Sequence, residues 1–315
     1  MPHGARTDHG CCKIDEHRMI ILGGLSGRYV LSSGFIYDAR TKQSTPLPNN
    51  MPEARYGFCA VANKRFMYVI GGRDADRRVV NTFYRLSLET YQWTTMAPMG
   101  AARYACAGVL LDDYLYIFGG YNDVGALASV ERYSIVTNTW EDLPGMAAAR
   151  GWGHCAVAAL RNRIYILGGY HMRVLEVFDT ALLKWKTEAS LCDMPKSRYI
   201  ASGVVLMNRY LVVIGGRDEG GVSAGCLIYD CSINQWSSTP ASISMITARY
   251  LHIAAVLDGK IVIAGGYNGS QVISSVECID AGDVLEYAPL DYPLSVEYFN
   301  QVLLLGKALL VNKYT

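Results

Sequence analysis

The sequence predicts an all-β protein that folds as a β-propeller, with six four-stranded blades and a C-terminal half repeat. Three observations lead to this prediction. A short apolar run ending in two glycines occurs six times, the copies are spaced almost evenly, and further short apolar runs separated by turn residues flank each copy. The glycine pairs begin at Gly23, Gly71, Gly119, Gly168, Gly215 and Gly265, at spacings of 48, 48, 49, 47 and 50 residues. Self-similarity at such a period indicates a repeat architecture.

Each repeat is predicted to contain four strands, and residues 103–144 show the pattern. The run ACAGVLL is the first strand, a turn at Asp112 follows because Asp favours turn conformations, and LYIF is the second strand, which ends at the glycine pair. The loop YNDVGALA leads to the third strand, SVERYSI. The fourth strand starts at Trp140 and ends at Pro144, because proline cannot donate to a strand ladder. Short strands at regular spacing indicate an all-β fold.

Marker residues recur at the same places of successive repeats. An arginine opens each repeat, an aromatic residue lies on most third strands, and a tryptophan lies on four of the fourth strands. The markers are Arg6, Arg55, Arg103, Arg150, Arg198 and Arg249; Tyr37, Tyr84, Tyr133, Phe178 and Tyr229; and Trp93, Trp140, Trp185 and Trp236. They divide the chain into repeats at 6–54, 55–102, 103–149, 150–197, 198–248 and 249–296, with a partial repeat at 297–315. A seven-bladed ring with an incomplete last blade is the alternative.

Radial stacking explains both the apolar faces and the glycines. A four-stranded sheet with two apolar faces must be covered by neighbours, since burial contributes roughly 25 cal/mol per Å² of apolar surface. A closed ring of blades provides this cover. Because glycine lacks a Cβ and allows positive φ, the pairs are expected where the second strand is most crowded.

Together, the opening arginine, the Gly-Gly at the end of the second strand, the third-strand aromatic and the fourth-strand tryptophan resemble the kelch repeat. This similarity spans six repeats, from about residue 6 to residue 290. The resemblance implies a kelch β-propeller that is used mainly for protein recognition. It also implies a possible setting, because many kelch proteins carry a BTB domain and use the propeller as the substrate-binding half of a cullin-type ubiquitin-ligase adaptor.

Composition argues against several classes of partner. The formal net charge is +1 and no basic stripe is present, so nucleic acid is not expected as a partner. No apolar run approaches the length of a membrane helix, so no membrane contact is expected. The start of the chain, MPHGARTDHG, lacks the apolar core of a signal peptide, and a cytoplasmic location is expected.

Cysteine and histidine are expected to serve packing rather than chemistry. Cysteines recur on first strands at Cys11, Cys59, Cys106 and Cys155, and histidines recur there at His9, His154 and His252. No CxxC, HExxH or nucleophile-elbow motif occurs. We therefore predict no catalytic residue, no metal and no cofactor.

The opening arginines allow two interpretations. They could form an anion-binding ring, or each could brace its own blade. Glu131, Glu176 and Glu277 recur on third strands and offer partners for such a brace. Regular recurrence in every repeat favours the brace.

The loops that follow the glycine pairs are the predicted binding site, because loops on a rigid scaffold often carry function. The first loop position holds Arg73, Tyr121, Tyr170, Arg217 and Tyr267, and the second holds Asp74, Asn122, His171, Asp218 and Asn268. By resemblance, the first set stands where kelch adaptors that bind acidic peptides contact their ligand. Those adaptors also use a basic residue two places after the opening arginine, whereas this chain has Asp8, Gly57, Ala105, Trp152, Ile200 and Leu251 there, which suggests a less charged ligand. In the alternative interpretation, the tyrosines only fill the channel mouth.

Blade four is predicted to leave a notch in the rim. Ten residues separate Gly168 from Phe178, whereas 14 separate Gly119 from Tyr133. Trp152, which lies outside the regular tryptophan series, would form an aromatic wall of this notch and is included in the candidate site.

The predicted function is therefore a non-enzymatic module that binds a protein or peptide segment on the loop face around the central channel. It would act as a ubiquitin-ligase substrate adaptor or as a scaffold, including a cytoskeletal scaffold. The alternative from a different class is a propeller enzyme such as a mutarotase of the sialic-acid type, which needs no metal. Fold alone does not decide between these functions.

Overall fold

The computed structural model of the chain describes residues 4–150, 156–186 and 191–289, and almost all regular structure in them is β-strand. In blade one the strands are β1 (Gly10–Lys13), β2 (Arg18–Leu22), β3 (Leu25–Ser26), β4 (Tyr29–Val30), β5 (Gly34–Asp38) and β6 (Gln43–Pro46). In blade two they are β7 (Cys59–Ala62), β8 (Phe66–Ile70), β9 (Phe83–Ser87) and β10 (Trp93–Met96). In blade three they are β11 (Ala107–Leu111), β12 (Tyr114–Phe118), β13 (Val130–Ser134) and β14 (Thr139–Leu143).

The second half of the chain repeats this arrangement. In blade four the strands are β15 (Ala156–Leu160), β16 (Arg163–Leu167), β17 (Leu175–Asp179) and β18 (Lys184–Trp185). In blade five they are β19 (Ser202–Leu206), β20 (Tyr210–Ile214), β21 (Arg217–Asp218), β22 (Gly221–Val222), β23 (Cys226–Asp230) and β24 (Gln235–Ser238). In blade six they are β25 (Ile253–Leu257), β26 (Lys260–Ala264) and β27 (Val276–Asp280), followed by helix α1 (Ala281–Leu285). Within each blade neighbouring strands pair antiparallel in chain order, and β3–β4 and β21–β22 form separate small hairpins.

The six blades close into one ring. The innermost strands β1, β7, β11, β15, β19 and β25 each contact the innermost strands of two neighbours, and β25 contacts β1. A separate apolar core fills each of the six interfaces between blades. At the closing interface, Met19 and Phe35 of blade one pack with Ile253 and Val262 of blade six. The ring therefore has six blades rather than seven.

Blade six departs from the four-stranded prediction within the described residues. Helix α1 follows β27 directly, at the point where the other repeats turn into their fourth strand. Asp280 caps this helix by accepting the backbone N–H of Gly282 at 2.8 Å. The departure matches the sequence, since this repeat has neither the aromatic nor the tryptophan marker. Residues 290–315, which include the partial repeat predicted at 297–315, lie outside the described residues.

The glycine pairs lie where one blade meets the opening of the next. Gly71 has a φ of 62°, and a Cβ at this position would lie 2.4 Å from the backbone oxygen of Arg103. Gly72 donates its N–H to the same oxygen at 2.8 Å. Only glycine combines the left-handed backbone with this close approach, which confirms that crowding selects the pair.

The opening arginines brace their blades. Arg103 donates to Glu131 at 2.5 Å and to the backbone oxygen of Gly119 at 2.8 Å, and its side chain is fully buried. Arg150 pairs with Glu176 at 2.5 Å, and Arg249 pairs with Glu277. The brace interpretation is therefore confirmed in these three blades, and the arginines are not available as an anion ring.

The recurrent cysteines and histidines are packing residues wherever the structure describes them. Cys59 and Cys106 are buried, and burial raises the pKa of the Cys11 thiol to about 12. Burial likewise lowers the pKa of His9 and of His252 to about 3, so both imidazoles are neutral. His154 and Cys155 lie outside the described residues.

Candidate functional site

In five blades the first loop position pairs with the residue that follows the opening arginine, and in blade one these two residues are Leu25 and Thr7. Backbone bridges of this kind join Tyr56 to Arg73, Tyr104 to Tyr121, Tyr199 to Arg217 and Tyr250 to Tyr267. In blade two, the Arg73 N–H donates to the Tyr56 oxygen at 2.8 Å, and the Tyr56 N–H donates to the Arg73 oxygen at 3.1 Å. These bridges hold both loop segments at fixed positions on the same face of the ring.

This pairing adds four tyrosines that the sequence analysis missed, namely Tyr56, Tyr104, Tyr199 and Tyr250. A signal for them was present, because Arg-Tyr opens four of the six repeats. The prediction about the ligand was based on the next position, where the residues do not share a chemical type. The structure shows that the tyrosine, not its successor, faces the loop after the glycine pair.

Two arginine–tyrosine stacks form across neighbouring blades. In the first stack, the Arg73 guanidinium of blade two lies 4.1 Å from the ring centroid of Tyr104 in blade three, and Tyr104 lies 5.9 Å from Tyr121. In the second stack, Arg217 of blade five lies 5.3 Å from Tyr250 in blade six, and Tyr250 lies 5.5 Å from Tyr267. The second stack is offset from the first by three positions in a ring of six blades, so the two stacks lie on opposite sides of the channel.

Neither arginine of these stacks has a carboxylate partner among the residues that the structure describes. Within residues 4–150, 156–186 and 191–289, neither Arg73 nor Arg217 takes part in an ion pair. Arg73 is held by the backbone oxygen of Arg77, to which it donates at 3.1 Å. A guanidinium whose face is stacked on a ring still presents N–H donors at its edge, and such a group can bind a carboxylate.

An aromatic cluster lies on the same face between the stacks. Tyr170 of blade four lies 4.2 Å from the His171 ring and 5.2 Å from the Tyr199 ring of blade five. Tyr170 is 51% exposed, so about half of this side chain is accessible at the surface. His171 has a φ of 56°, so its backbone adopts the left-handed conformation. We call Tyr170, His171 and Tyr199 the aromatic cluster.

Four of the five predicted residues at the second loop position shape the loops. Asp74 accepts the N–H of Arg78 at 2.9 Å, Asn122 accepts that of Val124 at 2.9 Å, and Asn268 accepts that of Ser270 at 2.9 Å. Asp218 accepts the N–H of Gly220 at 2.8 Å and pairs with the opening arginine Arg198. Burial opposes the charge on Asp74, but the hydrogen bonds from Arg78 outweigh it and keep the pKa of that carboxyl below its usual value. These oxygen atoms are thus occupied within the loops, and His171 is the exposed member of the set.

The residues two places after the opening arginines form a collar around the channel. Asp8, Gly57, Ala105, Ile200 and Leu251 all have left-handed backbones, with φ between 51° and 62°. Backbone bonds run from blade to blade, since the Gly57 N–H donates to Asp8 at 2.9 Å and the Ala105 N–H donates to Gly57 at 2.7 Å. The channel inside the collar has a volume of about 190 Å³. Burial raises the pKa of the Asp8 carboxyl to about 6.

Trp152, two residues after the opening arginine of blade four, lies outside the described residues, whereas the shortened loop between Gly168 and Phe178 that predicted the notch lies within them. In the part of the chain that the structure describes, no group of three or more His, Cys, Asp or Glu side chains is placed to hold a metal ion. No helix among those residues is long and apolar enough to cross a membrane.

Comparison with known proteins finds one matching family and several relatives. The family model described as the Attractin/LZTR1 β-propeller matches residues 19–276. Kelch-like protein 25 of Xenopus tropicalis is 29% identical over 283 residues, which cover 84% of this chain and 45% of the relative. Kelch-like protein 26 of Danio rerio is 30% identical over 223 residues, which cover 67% of this chain and 35% of the relative. Human Kelch-like protein 38 is 28% identical over 259 residues, which cover 79% of this chain and 42% of the relative. The chain thus spans less than half the length of these curated relatives.

Proposed function

The chain belongs to the Attractin/LZTR1 family of kelch-repeat β-propellers, and on that premise we propose that it recognises a peptide segment of another protein. The segment docks on the loop face around the channel mouth. The face acts by binding and not by catalysis. Arg73, Tyr121, Tyr170, Arg217 and Tyr267 contact the ligand, with the additional tyrosines Tyr104, Tyr199 and Tyr250.

The pair of arginine–tyrosine stacks carries this proposal. Tyrosine and arginine are the residue types most enriched at binding hot spots. Stacking also fixes the guanidinium of each arginine before the ligand arrives, which lowers the entropic cost of binding. Two such stacks on opposite sides of the channel offer two anchor points for one extended segment.

The ligand is expected to combine few carboxylates with apolar or aromatic side chains. Arg73 and Arg217 are each suited to one carboxylate, while the collar supplies no basic residue and places Asp8 in the channel. The exposed aromatic cluster at Tyr170 is suited to an apolar side chain. A strongly acidic segment would bring charge close to Asp8, so we propose a moderately acidic one.

The family resemblance supports a proposal for the setting of this interaction. The matched relatives are Kelch-like proteins. We propose that the propeller acts in the cytoplasm as the substrate-binding part of a ubiquitin-ligase adaptor, or as a scaffold that uses the same face. Neither nucleic acid nor membrane is part of this proposal.

A capture experiment with a matched control tests the proposed face. Wild type, an Arg73→Ala/Arg217→Ala variant and an Arg40→Ala/Arg65→Ala control would be compared in quantitative pull-downs from cell lysate. Arg40 and Arg65 are exposed and lie in turns at the opposite end of the strands, so the control loses the same charge elsewhere. We expect a partner that wild type and control retain and the loop-face variant loses. Overlapping peptides of that partner should then bind wild type directly, and equal capture by all three proteins would contradict the proposal.

A further inference from the structure

The face opposite to the loop face carries a groove between blades four and five. It is formed by the β15–β16 turn at residues 160–163, the β19–β20 turn at residues 207–209, and Cys231 with Ser232. Its volume is about 500 Å³, which is within the range of ligand sites. Through Arg163 and Tyr165 it continues into a second cavity of about 170 Å³ that extends to Lys186 and Leu191. The two cavities together form an elongated groove that runs from the innermost strands towards the outer edge of the ring.

Positive charge dominates the described lining of this groove. Arg161, Arg163 and Arg209 line it, and no carboxylate belongs to the lining among the described residues. Arg209 already binds the fully buried Asp230, with Nη2 at 2.6 Å and Nε at 2.9 Å. Within the part of the chain that the structure describes, neither Arg161 nor Arg163 forms an ion pair. The two guanidinium groups therefore line the groove without an ion pair to a described carboxylate, and Asp179, the cross-strand neighbour of Arg163 in β17, is not in the lining.

The groove between blades one and two provides an internal comparison. It has a volume of about 400 Å³ and is built from the same turns, but Asp15 and Glu89 are in its lining. Arg18 of blade one stands at the position of Arg163 in blade four, each five residues before its glycine pair. The Asp15 carboxylate accepts a hydrogen bond from Nε of Arg18 at 2.6 Å. The shared backbone thus carries a groove with two carboxylates in its lining in one place and, among the described residues, a groove with none in the other.

The floor and walls of the blade four–five groove add neutral donors and apolar surface. The Tyr165 hydroxyl lies beside the Arg163 guanidinium and the Cys231 thiol. Burial raises the pKa of Cys231 to about 12, so the thiol adds no negative charge. Leu160 lines the inner end, together with Met207, which is 77% exposed. A ligand that matches this lining carries negative charge beside apolar groups.

We propose that the groove between blades four and five binds an extended acidic peptide segment, with acidic and apolar side chains in alternation, from a protein partner. An extended chain advances about 3.3 Å per residue and turns successive side chains to opposite sides, which suits an elongated groove. Carboxylates of the segment bind Arg163 and Arg161, and apolar side chains pack on Leu160 and Met207. This site is separate from the loop face and does not rest on its proposed function.

Fluorescence anisotropy with a defined probe tests this proposal. The probe is a fluorescein-labelled Glu-Leu-Glu-Leu-Glu-Glu peptide, compared with a peptide in which Gln replaces Glu. We expect wild type to bind only the acidic peptide, more weakly as salt is added. Arg163→Gln should weaken binding about tenfold, as the loss of a charged hydrogen bond implies. Arg18→Gln, the matched control in blade one, should change it less than about twofold.

Further variants decide between the groove and other sites. Arg161→Gln removes an exposed arginine, so its fold should be intact, and it should weaken binding about threefold. The Arg73→Ala/Arg217→Ala variant should bind the probe as wild type does. Loss of binding in that variant alone would place the probe on the loop face and overturn the groove proposal. Equal binding of the glutamine peptide, displacement by inorganic phosphate at the peptide's own concentration, or no binding at all would overturn it as well.

Discussion

Removal of Glu131 should destabilise the propeller more than removal of any exposed carboxylate. The Glu131 carboxylate accepts the Arg103 guanidinium at 2.5 Å, the Gly100 N–H at 2.7 Å and the Ala101 N–H at 3.1 Å. The side chains of Arg103 and Glu131 are 0% and 3% exposed. In Glu131→Ala, a buried guanidinium keeps its charge and loses its counter-ion.

The expected cost follows from that burial. Breaking a buried ion pair at one partner typically costs about 3–5 kcal/mol of the free energy of unfolding. The backbone groups of Gly100 and Ala101 lie nearer the surface, where water can replace the carboxylate, so they add little. Glu141→Ala is the matched control, because Glu141 pairs with Arg132 at 2.6 Å but is 51% exposed. That exposed pair should contribute at most about 1 kcal/mol.

Urea unfolding followed by tryptophan fluorescence measures both variants. Glu131→Ala should lower the transition midpoint clearly, with an unchanged slope, whereas Glu141→Ala should leave the midpoint nearly in place. The double variant Arg103→Met/Glu131→Leu should recover most of the loss, because it removes the buried charge together with its partner. If Glu131→Ala cost less than about 1 kcal/mol, the opening arginines would not act as buried braces.

Three further predictions test the backbone, the collar and the loop face. Gly71→Ala should lower the free energy of unfolding in urea by at least about 3 kcal/mol, because the new Cβ would lie 2.4 Å from a backbone oxygen. Gly27→Ala is the control, because Gly27 has a similar φ of 59° but open space around it, and it should cost only about 1 kcal/mol. Asp8→Asn should unfold at higher temperature than wild type at pH 7, with a difference that shrinks towards pH 4. The Asp8 carboxyl has a pKa of about 6 in the folded protein and its usual 3.8 when unfolded, so it costs stability as the pH rises through that window. In calorimetric titrations with a captured peptide, Arg73→Ala and Arg217→Ala should each weaken binding about tenfold, and the double variant about a hundredfold. The expected stoichiometry is one peptide per chain. A stoichiometry of two peptides per chain would refute a single segment that bridges both arginines.

The sequence was sufficient to predict the features that repeat. Blade number, the order of strands, the glycine crowding and the Arg–Glu braces all follow from residues that recur at a fixed spacing, such as Arg103 with Glu131. The degenerate sixth repeat was also visible, although helix α1 in place of a fourth strand was not. The short sequence of α1 is compatible with a capped helical turn and with a weak strand. Only the structure shows the cap, in which Asp280 accepts the N–H of Gly282.

The candidate site was less predictable because it depends on contacts between repeats. Arg73 stacks on Tyr104 of the next blade, and this contact requires the twist and offset of neighbouring sheets. The second loop position was misleading for a different reason. Asp and Asn are typical both of ligand contacts and of turns that bind their own backbone, and Asn122 and Asn268 do the latter.

Repetition also helps to separate scaffold from binding surface in this propeller. A residue that every blade needs, such as Arg103, is buried and donates from both Nη atoms to oxygen atoms of its own blade, so it has little left to offer a ligand. Arg73, Arg217 and Arg163, which form no ion pair among the described residues, stand instead at positions where the residue type varies from blade to blade. Since a shared fold would leave such positions free to vary, charge without a partner at a variable position is the property to seek on both faces of the ring.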